Sequence, residues 1–140
     1  MNPGRCPGAS RIRSRERTCI TTTPNPVAGE FIWTPHNNRF GWSALLGGAP
    51  GTGDVSPYAA PARAADLADL PPTFIACPTL DLFIDEDIDY AARLLRAGVP
   101  VELHVYPGGF HGFDIFGGEA PIAVRARADS REALRRALHS

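Results

Sequence analysis

The segment YPGGFHGFD, residues 106–114, places one histidine, His111, in a loop of glycines and aromatic residues. A second polar residue in a comparable setting is Asp81, which follows a short apolar run in the segment TLDLF. An imidazole that donates one of its N–H groups to a carboxylate keeps its other nitrogen available as a base. These two residue types therefore indicate general-base chemistry, provided that the fold brings them together. The simpler alternative is that His111 is a turn residue and Asp81 caps a helix.

The elements around these two residues follow a regular order along the chain. Residues 72–80, PTFIACPTL, are a short apolar run bounded by prolines, which predicts a buried strand. The acidic residues 85–87 open a helix whose apolar side chains recur at helical spacing, and Gly98 and Pro100 end it. Residues 101–106, VELHVY, alternate apolar and polar side chains, as strands do.

A last helix is predicted over residues 121–138, where apolar side chains lie among arginines. A strand, a crossover helix and a second strand form a βαβ unit, in which the two strands run parallel. We therefore expect an α/β fold with parallel strands, a crossover helix and a closing C-terminal helix. Ligand sites in such sheets lie outside the carboxyl ends of the strands, and both Asp81 and His111 fall there.

The chain upstream of this unit is less regular. A short helix is expected over residues 40–46, with Asn37 or Asn38 as its cap and Gly47 after its end. Residues 48–72 are rich in glycine and proline, which predicts a connecting loop that contains one helical turn at most.

Composition narrows the possible functions. Residues 1–29 are rich in arginine, proline and threonine without apolar periodicity, so we expect a disordered leader before a single domain, residues 30–140. The net charge of −1 gives no field that would attract nucleic acid. Three cysteines without a C-x-x-C pair indicate neither a disulfide framework nor a zinc site. No run approaches the roughly 18 apolar residues of a membrane span, so we expect a cytoplasmic protein.

A metal centre is the least supported alternative. His104 and His111 lack the spacing that places two histidines on one face of a helix. His104 lies in a predicted strand beside Glu102, where a solvated face explains it. We expect neither a metal nor another cofactor.

Several motifs in the chain resemble a known family. These motifs are SPYAAP, LPPTFI, a D-x-x-x-D-E cluster after the first strand, AGVPVELHVYPG and the histidine of HGF, with WTPHNNRFGWSALLG upstream. Over residues 31–138 the chain is similar to the C-terminal portion of hormone-sensitive-lipase-like esterases, the α/β-hydrolase fold-3 family. The resemblance implies a carboxylic ester hydrolase of the serine-triad type that acts on small acyl esters. It also implies that Asp81 is the triad acid and His111 the triad base. Pro78 stands where the family usually has glycine.

The nucleophile of such a triad is missing from this sequence. A serine hydrolase of this fold presents its serine within G-x-S-x-G, on a strained turn between a strand and a helix. Ser43 in GWSAL and Ser56 in VSPYA lack this glycine pair, and no HGGG segment supplies oxyanion-hole donors. We therefore expect a truncated esterase that carries the acid and base only and is inactive as an isolated chain. The alternative is an inactive remnant or an interaction module that self-associates through an exposed sheet edge.

Overall fold

The computed structural model describes residues 25–48, residue 50 and residues 55–139. The first 24 residues of the predicted leader lie outside the described residues. The helices are α1, α2, α3 and α4, the strands are β1 and β2, and one turn of 3₁₀-helix precedes β1. In chain order the elements are α1 (Pro35–Leu46), the 3₁₀ turn (Pro61–Arg63), β1 (Thr73–Pro78), α2 (Ile84–Arg96), β2 (Val101–Tyr106), α3 (Phe113–Phe116) and α4 (Pro121–Leu138).

The two strands form a parallel pair, in which Thr73 lies opposite Val101 and Pro78 lies opposite Tyr106. Helix α2 makes the crossover between them, so the predicted βαβ unit and α/β fold are confirmed. Successive side chains of a strand point to opposite faces of the sheet. Ile75 packs in the cluster that contains Leu94 of α2. Tyr106, at a position of opposite parity in the register, packs against α4, so the two helices cover opposite faces.

The interior beneath α2 is built from long aliphatic side chains. Leu94 is fully buried and packs with Leu67 and Val99, which are also buried. The neighbouring residue on the same helix, Leu95, is 58% exposed. This difference follows from the helical period, which turns adjacent residues toward different surroundings.

Replacing Leu94 with alanine is expected to lower the free energy of unfolding by about 2–5 kcal/mol, because it removes buried methyl groups and leaves a cavity. Chemical denaturation followed by circular dichroism measures the change. Leu95→Ala is the matched control, since the same substitution at an exposed position should change stability by no more than about 0.5 kcal/mol. Equal losses in the two variants would contradict this account of the core.

Helix α1 differs from its prediction. It begins at Pro35 rather than near residue 40, and its cap is Thr34, whose hydroxyl accepts the N–H of Asn37 at 3.3 Å. The prediction of an asparagine cap is therefore wrong. Proline at the first helical position has a fixed φ that suits a helix and lacks an N–H that would go unpaired, so the helix starts there. The side chain of Asn38 is instead buried and accepts a hydrogen bond from the indole of Trp33.

Candidate active site

Two loops meet at the carboxyl ends of the strands, and hydrogen bonds join them. The N–H of Thr79 donates to the carbonyl of Tyr106 at 3.1 Å, and the N–H of Leu80 donates to the carbonyl of Gly109 at 2.8 Å. The N–H of Gly108 donates to the Thr79 hydroxyl at 2.8 Å. These bonds extend the pairing of the strands into the loops, so the residues that follow are held side by side.

The structure brings Asp81 and His111 together at this position. Nδ1 of His111 lies 3.0 Å from Oδ2 of Asp81. The other carboxylate oxygen, Oδ1, accepts the N–H of Phe83 at 3.1 Å. Asp81 is 6% exposed, whereas the His111 side chain is 35% exposed and its Nε2 has no hydrogen-bond partner among the described residues. The pair therefore consists of a buried, oriented carboxylate and an imidazole with one accessible nitrogen.

The backbone around His111 depends on two glycines. Gly112 has φ 72°, in the left-handed region that glycine adopts without steric cost. A Cβ at Gly109 would lie 3.0 Å from Cβ of Pro78, so a larger residue there would press against the end of β1. Pro78, the residue that departs from the family pattern, keeps its place opposite Tyr106 at the end of β1. The proline is therefore compatible with the pairing that positions Asp81.

Helices α3 and α4 pack next to the loop that carries His111. Phe113, at the start of α3, is buried against Tyr106 and the alanines of α4. The guanidinium of Arg127 donates to the carbonyl of Asp114 at 2.8 Å and to that of Gly118 at 2.9 Å. Helix α3 was not predicted from the sequence, because its four residues are too few to show a helical period.

Aromatic rings surround the imidazole of His111. The indole of Trp33 stacks on it with 5.8 Å between ring centroids, and the ring of Phe83 meets it edge-on at 6.0 Å. Sequence reasoning missed Trp33, because a stack between residues so far apart in the chain leaves no periodic signal.

A second carboxyl group, Asp87 of α2, lies close to the Asp81–His111 pair. Burial, followed by the negative charges of Asp81 and Glu86, raises the pKa of Asp87 from 3.8 to about 7. The Cys77 thiol hydrogen-bonds to this carboxyl, and burial together with the charge of Asp87 raises the pKa of Cys77 to about 12. Cys77 is therefore a protonated thiol in a buried cluster.

Replacing Asp87 with asparagine is expected to stabilise the fold at alkaline pH. A carboxyl whose pKa is raised on folding binds its proton more tightly in the native state, so the wild-type protein loses stability as pH rises from about 4 to about 7. The variant lacks this loss, so its free energy of unfolding should exceed that of the wild type by on the order of 1–2 kcal/mol above about pH 7, after allowance for solvent screening. Near about pH 4 the difference should be small.

Denaturant unfolding at several pH values measures the gap between the Asp87→Asn variant and the wild type. Asp85→Asn is the control, because Asp85 lies in the same helical turn as Asp87 but is exposed. Both substitutions remove a favourable interaction with the helix dipole, so they differ in the burial of the carboxyl that is replaced. A gap that does not change with pH would refute the assignment to Asp87.

The second histidine considered for metal binding, His104, lies in a separate cluster. Its Nε2 is 2.8 Å from Glu102 and its Nδ1 is 3.2 Å from Asp129 of α4, which also accepts the hydroxyl of Tyr106 at 2.9 Å. The His104 side chain is 24% exposed, so the face on which it lies is only partly solvated, and it joins β2 to α4. Within the described ranges no three His, Cys, Asp or Glu side chains are grouped so that they could hold a metal ion.

A comparison with protein-family models agrees with the parallel strands and crossover helix of this fold. The alpha/beta hydrolase fold model matches residues 6–115, and the chain belongs to this hormone-sensitive-lipase-like family of α/β hydrolases. The matched range begins within the segment that was predicted to be a leader. The family resemblance expected from the sequence is thus confirmed.

The chain is similar to several esterases. It is 44% identical to esterase LipI of Mycobacterium tuberculosis over 80 residues, and this alignment covers 57% of this chain and 25% of LipI. It is 42% identical over 76 residues to carboxylesterase NlhH of the same species, covering 54% and 24% of the two chains. The chain thus spans about a quarter of the length of these curated relatives.

Two solved esterase structures are also similar. A bacterial heroin esterase superposes with a TM-score of 0.72 at 44% identity, covering 78% of this chain and 35% of the other. Esterase LipW from Mycobacterium marinum gives a TM-score of 0.71 at 37% identity, with coverage of 84% of this chain and 38% of the other.

In the part of the chain that the structure describes, no helix is long and apolar enough to cross a membrane.

Proposed function

We propose that this chain supplies the acid, Asp81, and the base, His111, of a serine-type carboxylic ester hydrolase that acts on small acyl esters. The observation that carries the proposal is the 3.0 Å contact between Oδ2 of Asp81 and Nδ1 of His111 at the carboxyl ends of parallel strands. The similarity to proteins named as esterases supports it.

In this reaction Asp81 accepts the Nδ1–H of His111, which leaves the lone pair on Nε2. Nε2 takes the proton of a serine hydroxyl while the serine oxygen bonds to the ester carbonyl carbon. The proton then passes from Nε2 to the departing alkoxide as the ester C–O bond breaks. In the second half of the reaction Nε2 takes a proton from water while the water oxygen bonds to the acyl carbon. The bond to the serine oxygen then breaks, the serine regains a proton, and the acid is released. Neither a G-x-S-x-G nor an HGGG segment occurs in the 140 residues, so the nucleophile and oxyanion donors must come from outside them.

A graft into a related esterase tests the proposal. Residues 25–140 of this chain replace the structurally equivalent segment of LipW, with which the chain shares a TM-score of 0.71. We expect the grafted enzyme to hydrolyse p-nitrophenyl esters, whereas the isolated chain does not. A folded but inactive graft would contradict the proposed roles, and so would fast hydrolysis by the isolated chain.

The second candidate is an inactive remnant or an interaction module. Leu103 and Val105 of β2 are 38% and 45% exposed, which favours contact between this strand and another polypeptide. Size-exclusion chromatography of the isolated chain measures self-association. A monomer at high concentration would argue against the interaction module, and fast ester hydrolysis by the isolated chain would argue against the inactive remnant.

A further inference from the structure

The imidazole of His111 is in contact with an aromatic side chain from a distant part of the chain. The indole of Trp33 stacks on it with 28° between the ring planes and 5.8 Å between the centroids. Phe83 meets the same ring edge-on, at 6.0 Å and 67°. With the hydrogen bond to Asp81, three contacts determine the orientation of the ring, two from the loop of residues 81–83 and one from Trp33.

Trp33 is itself held in place by hydrogen bonds. Its indole N–H donates to the side-chain oxygen of Asn38 at 3.2 Å, and Asn38 is 4% exposed. Its backbone N–H donates to the carbonyl of Phe31 at 2.7 Å across Ile32, which has φ 59°. The side chain of Asn37 donates to the carbonyl of Ile32 at 3.1 Å. A β-branched residue rarely adopts this left-handed conformation, so these bonds maintain a turn that directs the indole toward His111.

The segment that carries Trp33 is attached to the same loop as the acid. The N–H of Gly29 donates to the carbonyl of Leu80 at 3.0 Å, one residue before Asp81. Gly29 has φ 80°, and a Cβ there would lie 2.8 Å from Cδ1 of Leu82. The positive φ favours glycine at this position, and the hydrogen bond attaches the segment of Trp33 to the loop that carries Asp81.

We propose that Trp33 is a positioning residue for His111, and that its indole orients the imidazole and stabilises the imidazolium formed during catalysis. The negative face of an indole attracts a cation more strongly than a neutral ring, so the stack favours His111 once it has taken a proton. The other groups that act on His111 are Asp81, through the hydrogen bond, and Asp87 of α2, through its charge. The inference rests on the proposed function, in which His111 is the base.

Fluorescence of the full chain tests the contact without any ester hydrolysis. The chain has two tryptophans, so Trp42→Phe leaves Trp33 as the sole emitter. Because the imidazole forms part of the surroundings of this indole, we expect His111→Gln to change the emission of Trp33 at constant pH. His36→Gln, which changes a histidine close in sequence, should leave the emission unchanged. Unchanged emission in the His111→Gln protein would overturn the proposal.

Kinetics of the LipW graft test the consequence for catalysis. Trp33→Leu should lower kcat on the order of tenfold with little change in KM, and Trp33→Phe should retain part of the lost activity. Unchanged kcat in the leucine variant would overturn the positioning role and leave the proposed function standing. An inactive graft, together with Trp33 emission that depends on His111 in the full chain, would count against the proposed function and in favour of the stack.

Discussion

Replacing His111 with alanine in the LipW graft is expected to lower kcat for a p-nitrophenyl ester by on the order of 10⁵-fold to 10⁶-fold, with little change in KM. The imidazole is the group that removes the serine proton and returns it to the leaving alkoxide, so both halves of the reaction lose their proton carrier. The substitution removes a side chain that is 35% exposed, and the fold should survive it. Steady-state kinetics over a range of ester concentrations separates kcat from KM.

His104→Gln is the matched control for the alanine variant. His104 also contacts carboxylates, Glu102 and Asp129, but these lie in the cluster that joins β2 to α4. The control should keep most of the activity of the graft, because its ring does not contact the Asp81–His111 pair. If the His111 variant kept more than about one hundredth of the activity, the assignment of the base would be wrong.

The proximity of Asp81 and His111 could be predicted because the topology of the fold places their loops side by side. A βαβ unit places the ends of its two parallel strands next to each other, and each residue follows one of these strands. Helix α2 was equally predictable, since its acidic first turn, apolar spacing and the glycine after its end are all local signals. The family match over residues 6–115 agrees with the order of the motifs along the sequence.

The rest of the site depends on contacts that local patterns do not encode. Trp33 reaches His111 because of a left-handed residue, Ile32, and a buried amide, Asn38, and neither feature has a periodic signature. Asp87 looked like one of three acids that open α2, yet it packs next to Cys77. Which residue of an acidic run becomes buried is decided by the tertiary structure, and the raised pKa of this carboxyl follows from that burial.

The hydrogen bonds of Asp81 determine what an asparagine would do in its place. Oδ1 accepts the N–H of Phe83 at 3.1 Å, and Oδ2 faces Nδ1 of His111 at 3.0 Å. Asparagine has one oxygen that accepts and one nitrogen that donates. The backbone N–H of Phe83 requires the oxygen, because a donor facing that N–H would leave it unpaired at a cost of about 1–3 kcal/mol. The amide nitrogen must then face His111.

Asp81→Asn is therefore expected to reverse the tautomer of His111 with little change in structure. Nδ1 becomes the acceptor, the proton moves to Nε2, and the nitrogen that should take the serine proton no longer has a lone pair. We expect kcat of the LipW graft to fall on the order of 10⁴-fold at neutral pH while KM changes little. Asp114→Asn, three residues after His111, is the control and should retain activity. Equal activity in the two variants would show that Asp81 does not orient the base.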